Sequence, residues 1–367
     1  MSGTAKDSLL VYIGTYTSRG SEGIHVFRFD TATGGLTPAA APAPVENPSF
    51  LALHPSRPRL YGVSEVRSTE GRSGSSVHAF AIDTATGALA ALNEASTQGP
   101  GPCHVAVDPT GRFAAAANYA GGSVVLFPLD ADGRLREASD FVQHTAGSGA
   151  NPKRQDAPHA HSVTWTPDGS RLLVADLGMD RVVMYRLDAE RAKLEPDPAH
   201  DARSEPGAGP RHLAFHPNGR YVYVVNELDA SVAAYDYDAD AGALERIQSV
   251  PGLPADFTGT NLAADIHLTP DGRFLYSSNR GHDSLAIFEV DPETGGLSLV
   301  EHAPCGGKEP RNFAIDPTGT FLLCAHQNSN TIVTFRIEPD SGRLSPTGHV
   351  AEVSMPVCVR ILTEISS

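Results

Sequence analysis

The chain has 367 residues, 40% of them apolar, with 28 lysines and arginines against 43 aspartates and glutamates, for a formal charge of −15. That acidic balance excludes a nucleic-acid partner, because binding to a phosphate backbone rests on a surplus of cations. Glycines (35) and prolines (28) are plentiful and no long stretch has apolar residues at helical spacing, so the chain reads as all-β, short strands joined by turns.

The first run, MSGTAKDSLLVYIG, has no basic segment followed by an apolar stretch and a small-residue cleavage site. Nowhere do eighteen apolar residues run together, so the expectation is a cytoplasmic protein with no membrane partner. LLVYIGTY near residue 10 reads as a strand, and IHVFRFD from Ile24 is the first of seven alternating segments. The others are VHAFAID from Val77, VVLFPLD from Val124, VVMYRLD from Val182, VAAYDYD from Val232, LAIFEVD from Leu285 and IVTFRIE from Ile332. Each has an aromatic in fourth place: Phe27, Phe80, Phe127, Tyr185, Tyr235, Phe288 and Phe335. Period-two alternation turns the odd-numbered side chains to the opposite face. These segments are strands c. Most run into an acidic, Gly-rich stretch and a Leu, as in DTATGGL and DADGRL, the chemistry of a hairpin into a fourth strand, d.

From residue 51 a second block precedes each c strand: LALHPSRPRLYGVS, VAVDPTGRFAAAAN, VTWTPDGSRLLVAD, LAFHPNGRYVYVVN, IHLTPDGRFLYSSN and FAIDPTGTFLLCAH. An apolar strand a meets a Pro-containing turn and then strand b. The seventh a–b pair is split, with strand b in LLVYIGTY and strand a in MPVCVRIL near residue 358. Seven copies at intervals of about fifty residues predict a seven-bladed β-propeller of four-stranded antiparallel blades, the last closed by both chain ends. No linker interrupts the series, so residues 1–367 are expected to form one domain. Cys103, Cys305, Cys324 and Cys358 stand far apart with no CxxC pair, which favours packed thiols over disulfides or structural zinc.

In an antiparallel a–b hairpin the start of a lies beside the end of b, and in a propeller strand a lines the central channel. One rim therefore collects both ends. The sixth residue before each turn proline is Ser49, Cys103, His161, Arg211, Ala264 and Arg311; the tenth after it is Glu65, Tyr119, Leu177, Glu227, Arg280 and Gln327. Polar and titratable groups converging on one mouth form the default binding site. The longest d-to-a connection, His144 to Ser162, arrives at the same mouth with Lys153, Arg154, His159 and His161. Together with Arg211, Arg280 and Arg311 it makes a seat for an anionic small molecule, since guanidinium matches carboxylate and phosphate in two-pronged geometry. The asparagines at the b exits, Asn118, Asn226 and Asn279, read as turn caps. Glu227 and Asp176 suit a hard cation, but three converging arginines repel one, and His159 with His161 lacks a third ligand, so no metal is expected.

The stretches HTAGSGANPKRQDAPHAHSVTWTPDG, GPRHLAFHPNGRYVYVVNEL and ADIHLTPDGRFLYSSNR together resemble the propeller lactonase family, which includes 6-phosphogluconolactonases and carboxymuconate-cyclising enzymes. The likeness covers nearly the whole chain, and GPRH with NEL sixteen residues after the Arg is its most specific part. It implies hydrolysis of a sugar lactone, 6-phosphogluconolactone foremost, without metal or organic cofactor, and a catalytic set at His161, Arg211, Glu227 and Arg280. Arg311, Lys153 and Arg154 are then expected to meet the phosphate, with His159, His267 and Gln327 as further substrate contacts. Either His161 or Glu227 serves as the base. A lactonising enzyme and a non-catalytic binding scaffold remain the alternative functions, and the oligomeric state is open.

Overall fold

The structure, a computed structural model, describes residues 8–66 and 74–363; the first seven residues of the N-terminal run read above lie outside it. The described residues form seven antiparallel sheets, each with strands in the order a-b-c-d. Blades 1 to 6 follow the chain from Leu51 to Glu352. In blade 7, Pro356–Leu362 pairs with Ser8–Thr15, Leu10 opposite Leu362 and Ile13 opposite Val359, so the two chain ends do close the ring. Closure removes the open edges an unclosed array of sheets would leave. Among the described residues no helix is long and apolar enough to cross a membrane.

Local chemistry explains the turns. Asp30, Asp83, Asp188, Asp238 and Asp291, at the ends of strands c, each accept two backbone N–H groups through one carboxylate oxygen. That bond pattern starts a tight turn. One blade departs from the regular pattern. In blade 3 the outer strand comes in two pieces, Lys193–Pro196 and Ala202–Arg203, both paired with Arg181–Asp188 and separated by a 3-10 turn at Pro198–His200. Pro196 and Pro198 have no amide hydrogen to continue the ladder.

The seven aromatics in fourth place are all buried between sheets, as are the four free cysteines. A second inter-blade device was not foreseen. Tyr12, Tyr61, Tyr223 and Tyr276, each buried on a strand b, donate their hydroxyls to the carbonyls of Gly87, Gly133, Gly295 and Gly342 in the c–d turn of the next blade, at 2.7 to 3.1 Å. Each latch satisfies a buried phenol while fixing the rotation of one blade against its neighbour.

Strands a carry the feature that builds the channel. In blade 2 Pro102 pairs with Asn118 and His104 with Ala117, leaving Cys103 as an unpaired extra residue. The same bulge releases His161, Arg211, Arg311 and, in blade 7, Val357. In blade 5 it releases two residues, Ala264 and Asp265, between Ala263 and Ile266. A bulge frees its extra residue from the ladder and re-aims its side chain. The rim positions in blades 2 to 6 are therefore the bulged residues.

Candidate active site

Arg211 stands at the bulge of the strand Pro210–Phe215, and Glu227 follows the strand Tyr221–Asn226, its backbone N–H held by Gly209 O at 2.7 Å. The hairpin thus sets the two side chains against each other, with Arg211 Nε donating to Glu227 Oε2 at 2.9 Å. Arg280, the last residue of Phe274–Arg280 in the next blade, donates from Nη2 to the same oxygen at 2.9 Å and to Ala263 O at 3.0 Å. From the long loop, Arg154 donates from Nη2 to Glu227 Oε1 at 2.5 Å and to Tyr119 Oη at 3.1 Å. One buried carboxylate thus receives three guanidinium groups. His161 Nε2 lies 3.8 Å from Glu227 Oε2, close enough for charge to be felt and too far for a direct hydrogen bond.

Arg311 lies over the ring of Tyr16 and donates to its hydroxyl at 3.0 Å, while Tyr16 donates to Glu65 Oε2 at 2.9 Å. Glu309 Oε1 stands 3.9 Å from Arg280 Nη1. Four arginines therefore face three carboxylates, a mouth with cationic surplus in a protein that is strongly acidic overall.

The charges set the protonation states. Burial alone would raise the Glu227 carboxyl, but Arg280, Arg211 and Arg154 outweigh it and hold the group at about 2. Burial, helped by Arg280 and Arg311, brings Arg211 down to about 10. Burial and the neighbouring Arg211, His212 and Arg311 push His161 well below the usual imidazole range. At neutral pH the site thus holds an ionised carboxylate of low basicity, four charged guanidinium groups and a neutral imidazole.

The long loop is fastened by contacts the sequence reading did not predict. His144 donates from Nδ1 to Asp176 Oδ2 at 2.6 Å, and its Nε2 shares a hydrogen bond with Tyr185 Oη at 2.8 Å. Asp180 accepts from Ser148 Oγ, Gln155 Nε2, Gly207 N and Gly209 N at 2.6 to 2.8 Å. A single carboxylate ties the Arg154 loop to the segment leading into Arg211. The b-exit asparagines act as expected: Asn118, Asn226 and Asn279 each bond the Ser that opens strand c.

The candidates divide. His161, Arg211, Glu227, Arg280 and Arg154 meet around one carboxylate, and Arg311 stands beside them. His159 precedes the strand, stacks on Tyr119 with ring centroids 4.6 Å apart, and bonds Tyr119 O at 3.0 Å, so it walls the site rather than entering it. Gln327 has its Oε1 buried without a hydrogen-bond partner among the described residues. Lys153 is exposed on the loop that sends Arg154 inward. His267 requires a correction. It bonds Asp265 Oδ2 at 2.9 Å and lines, with Phe50, Trp165, Arg360 and the turn residue Pro109, a separate cavity of about 440 Å³ at the opposite end of the channel. It lies three residues beyond the rim position of its strand, a displacement of roughly 10 Å at strand rise. Among the described residues no three His, Cys, Asp or Glu side chains are grouped to hold a metal ion.

Comparison with known proteins agrees with this architecture. A family model described as lactonase, 7-bladed beta-propeller, matches residues 10–361. A Bacillus subtilis protein named 6-phosphogluconolactonase is 40% identical over 305 residues, 83% of this chain and 84% of the relative. A Formosa agariphila protein of the same name is 37% identical over 319 residues, 83% of this chain and 86% of the relative. Among solved structures, the Pseudomonas aeruginosa periplasmic gluconolactonase PpgL superposes with a TM-score of 0.92 at 36% identity, covering 97% of this chain and 99% of its own.

Proposed function

The chain belongs to the seven-bladed β-propeller lactonase family and is a lactonase, and from that premise we propose that it hydrolyses a sugar lactone carrying an anionic group, 6-phosphogluconolactone first. The observation that carries the reading is a buried imidazole, His161, beside a carboxylate that gathers three arginines. Hydrolysis needs a base for water, donors for the oxyanion and a proton for the leaving ring oxygen.

His161 is the better base. Glu227 already accepts from Arg154, Arg211 and Arg280, which hold it ionised and occupy its lone pairs, whereas the His161 imidazole, 3.8 Å away, keeps a lone pair free for water. A water hydrogen-bonded to both His161 Nε2 and Glu227 Oε2 attacks the lactone carbonyl and passes its proton to His161. Guanidinium hydrogens of Arg211 and Arg280 meet the oxyanion. As the ring C–O bond breaks, the imidazolium returns the proton to the departing alkoxide, and the product acid ionises to a carboxylate. Glu227 orients the two arginines and steadies the transient imidazolium. The phosphoryl group sits by Arg311, with Lys153 at the outer edge.

The test is hydrolysis by the purified protein of 6-phosphogluconolactone and of plain gluconolactone, read by acid release against the spontaneous rate. No acceleration of either removes the reading. Preference for the plain lactone removes the phosphate seat and favours the chemistry named for PpgL. The whole chain acting as one domain in the cytoplasm belongs to the same proposal, which cell fractionation checks.

A further inference from the structure

Beneath the arginine cluster the channel holds a second polar layer that the mechanism above does not use. His104, His212, Asp265 and Asn312, from four different blades, are all buried and reach one another across the channel. His212 stands with its ring 5.3 Å from His104 and 5.4 Å from His161, centroid to centroid. Asp265 is the hub. Its Oδ1 accepts from His212 Nδ1 at 2.7 Å, and its Oδ2 accepts from His267 Nε2 at 2.9 Å, from Asn312 Nδ2 and from Phe313 N at 3.3 Å.

These bonds fix a proton. A carboxylate only accepts, so His212 carries its hydrogen on Nδ1 and presents a lone pair at Nε2. Arg211 Nη1 lies 3.3 Å from that lone pair and also donates to Ala264 O. With Nε bound to Glu227, Arg211 is held on two sides, and among the described residues its Nη2 has no hydrogen-bond partner. The contact depends on the bulge: Arg211 and His212 are neighbours in a strand and would otherwise face opposite ways.

We infer that Asp265 and His212 are positioning residues, the carboxylate fixing the imidazole as an acceptor so that Arg211 is locked with Nη2 aimed at the bound lactone. The inference rests on the lactonase reading for its effect on rate, though not for its geometry. Asp265→Asn tests it most sharply. The amide that replaces the carboxylate donates to Nδ1, moves the imidazole hydrogen to Nε2 and sets two donors face to face at Arg211. A drop in kcat of about 10- to 1000-fold is expected, with a far smaller change in KM, less than where the catalytic base itself takes the wrong tautomer. His212→Leu should lose a similar amount, and His212→Gln, which keeps an acceptor, should recover much of it relative to the Leu variant.

A double-mutant cycle separates positioning from loss of structure. In an Arg211→Ala background neither His212→Leu nor Asp265→Asn should lower kcat further. Full additivity would overturn the inference, as would wild-type kcat in Asp265→Asn. A substrate-free measurement stands apart from the choice of lactone: the 15N imidazole signals of His212 should report a hydrogen on Nδ1 in the wild type and on Nε2 in Asp265→Asn. An Nε2–H tautomer in the wild type refutes the inference even where hydrolysis is confirmed, and failure to hydrolyse any lactone counts against the activity while leaving this reading intact.

Discussion

Replacing Glu227 by Gln keeps the shape of the central acceptor and removes its charge. In the wild type the carboxyl falls from its ordinary 4.5 to about 2, worth on the order of 3 kcal/mol of folding free energy. Burial lowers Arg211 as well, to about 10, so its charge is kept in the cluster against a desolvation cost. Taking away the carboxylate removes the gain and leaves the cost, with Arg211 and Arg280 buried as like charges. The expected destabilisation is about 3–5 kcal/mol, or roughly 4–7 °C in Tm for a chain of this length. A group with a depressed pKa contributes above its unfolded value and loses that contribution as pH falls through the folded one. The difference between wild type and Glu227→Gln should therefore be constant from pH 8 to about 5, shrink below 4.5 and vanish near 2. Turnover should fall about 100-fold from misdirected arginines, with a rise in KM. Thermal denaturation across pH and steady-state kinetics measure both. An unchanged Tm refutes the electrostatic argument, and a loss above about 10⁴-fold in kcat with KM intact makes Glu227 the base after all.

His161→Gln should lower kcat by about 100- to 10,000-fold; in the wild type kcat/KM should stay level as pH falls through 6.5, because the imidazole is held neutral to well below that value. An acid limb centred at 6.5 or higher contradicts this assignment. Arg311→Ala should cost on the order of 2–4 kcal/mol in kcat/KM for the phosphorylated lactone and much less for the plain one; equal losses on both place Arg311 away from the phosphate. Tyr223→Phe removes the 3.0 Å latch to Gly295 O and should cost about 0.5–1.5 kcal/mol in thermal stability with kinetics unaltered. EDTA should leave the rate unchanged, and activity lost to chelation and restored by calcium would replace arginine with metal in the mechanism.

The periodic features were readable from spacing alone. Seven fourth-place aromatics, six a–b hairpins and the split pair at the termini are set by short-range pattern, and counting from the turn prolines found the mouth because equivalent registers in a ring must converge. The bulges were not readable. They are defined by which amide pairs with which carbonyl across the hairpin, and no side-chain alternation reports that. Missing them hid His212, which simple alternation turns away from Arg211. His267 was misplaced for want of depth along strand a. The anchoring of the long loop by Asp180 and His144 depends on contacts between distant segments, for which local composition has no signature.

The bulges also say where such a mouth can change its lining at least cost to the fold. Cys103, Ala264 and Val357 occupy the same level of the ring as His161, Arg211 and Arg311, and their backbones are likewise excused from the ladder. Substitution there alters what the channel presents without asking any sheet to re-register. Six bulged sites at one depth amount to a set of interchangeable letters on a fixed dial, three charged or titratable and three small or apolar. New substrates can be tried by respelling the short ones, with the barrel of the lock untouched.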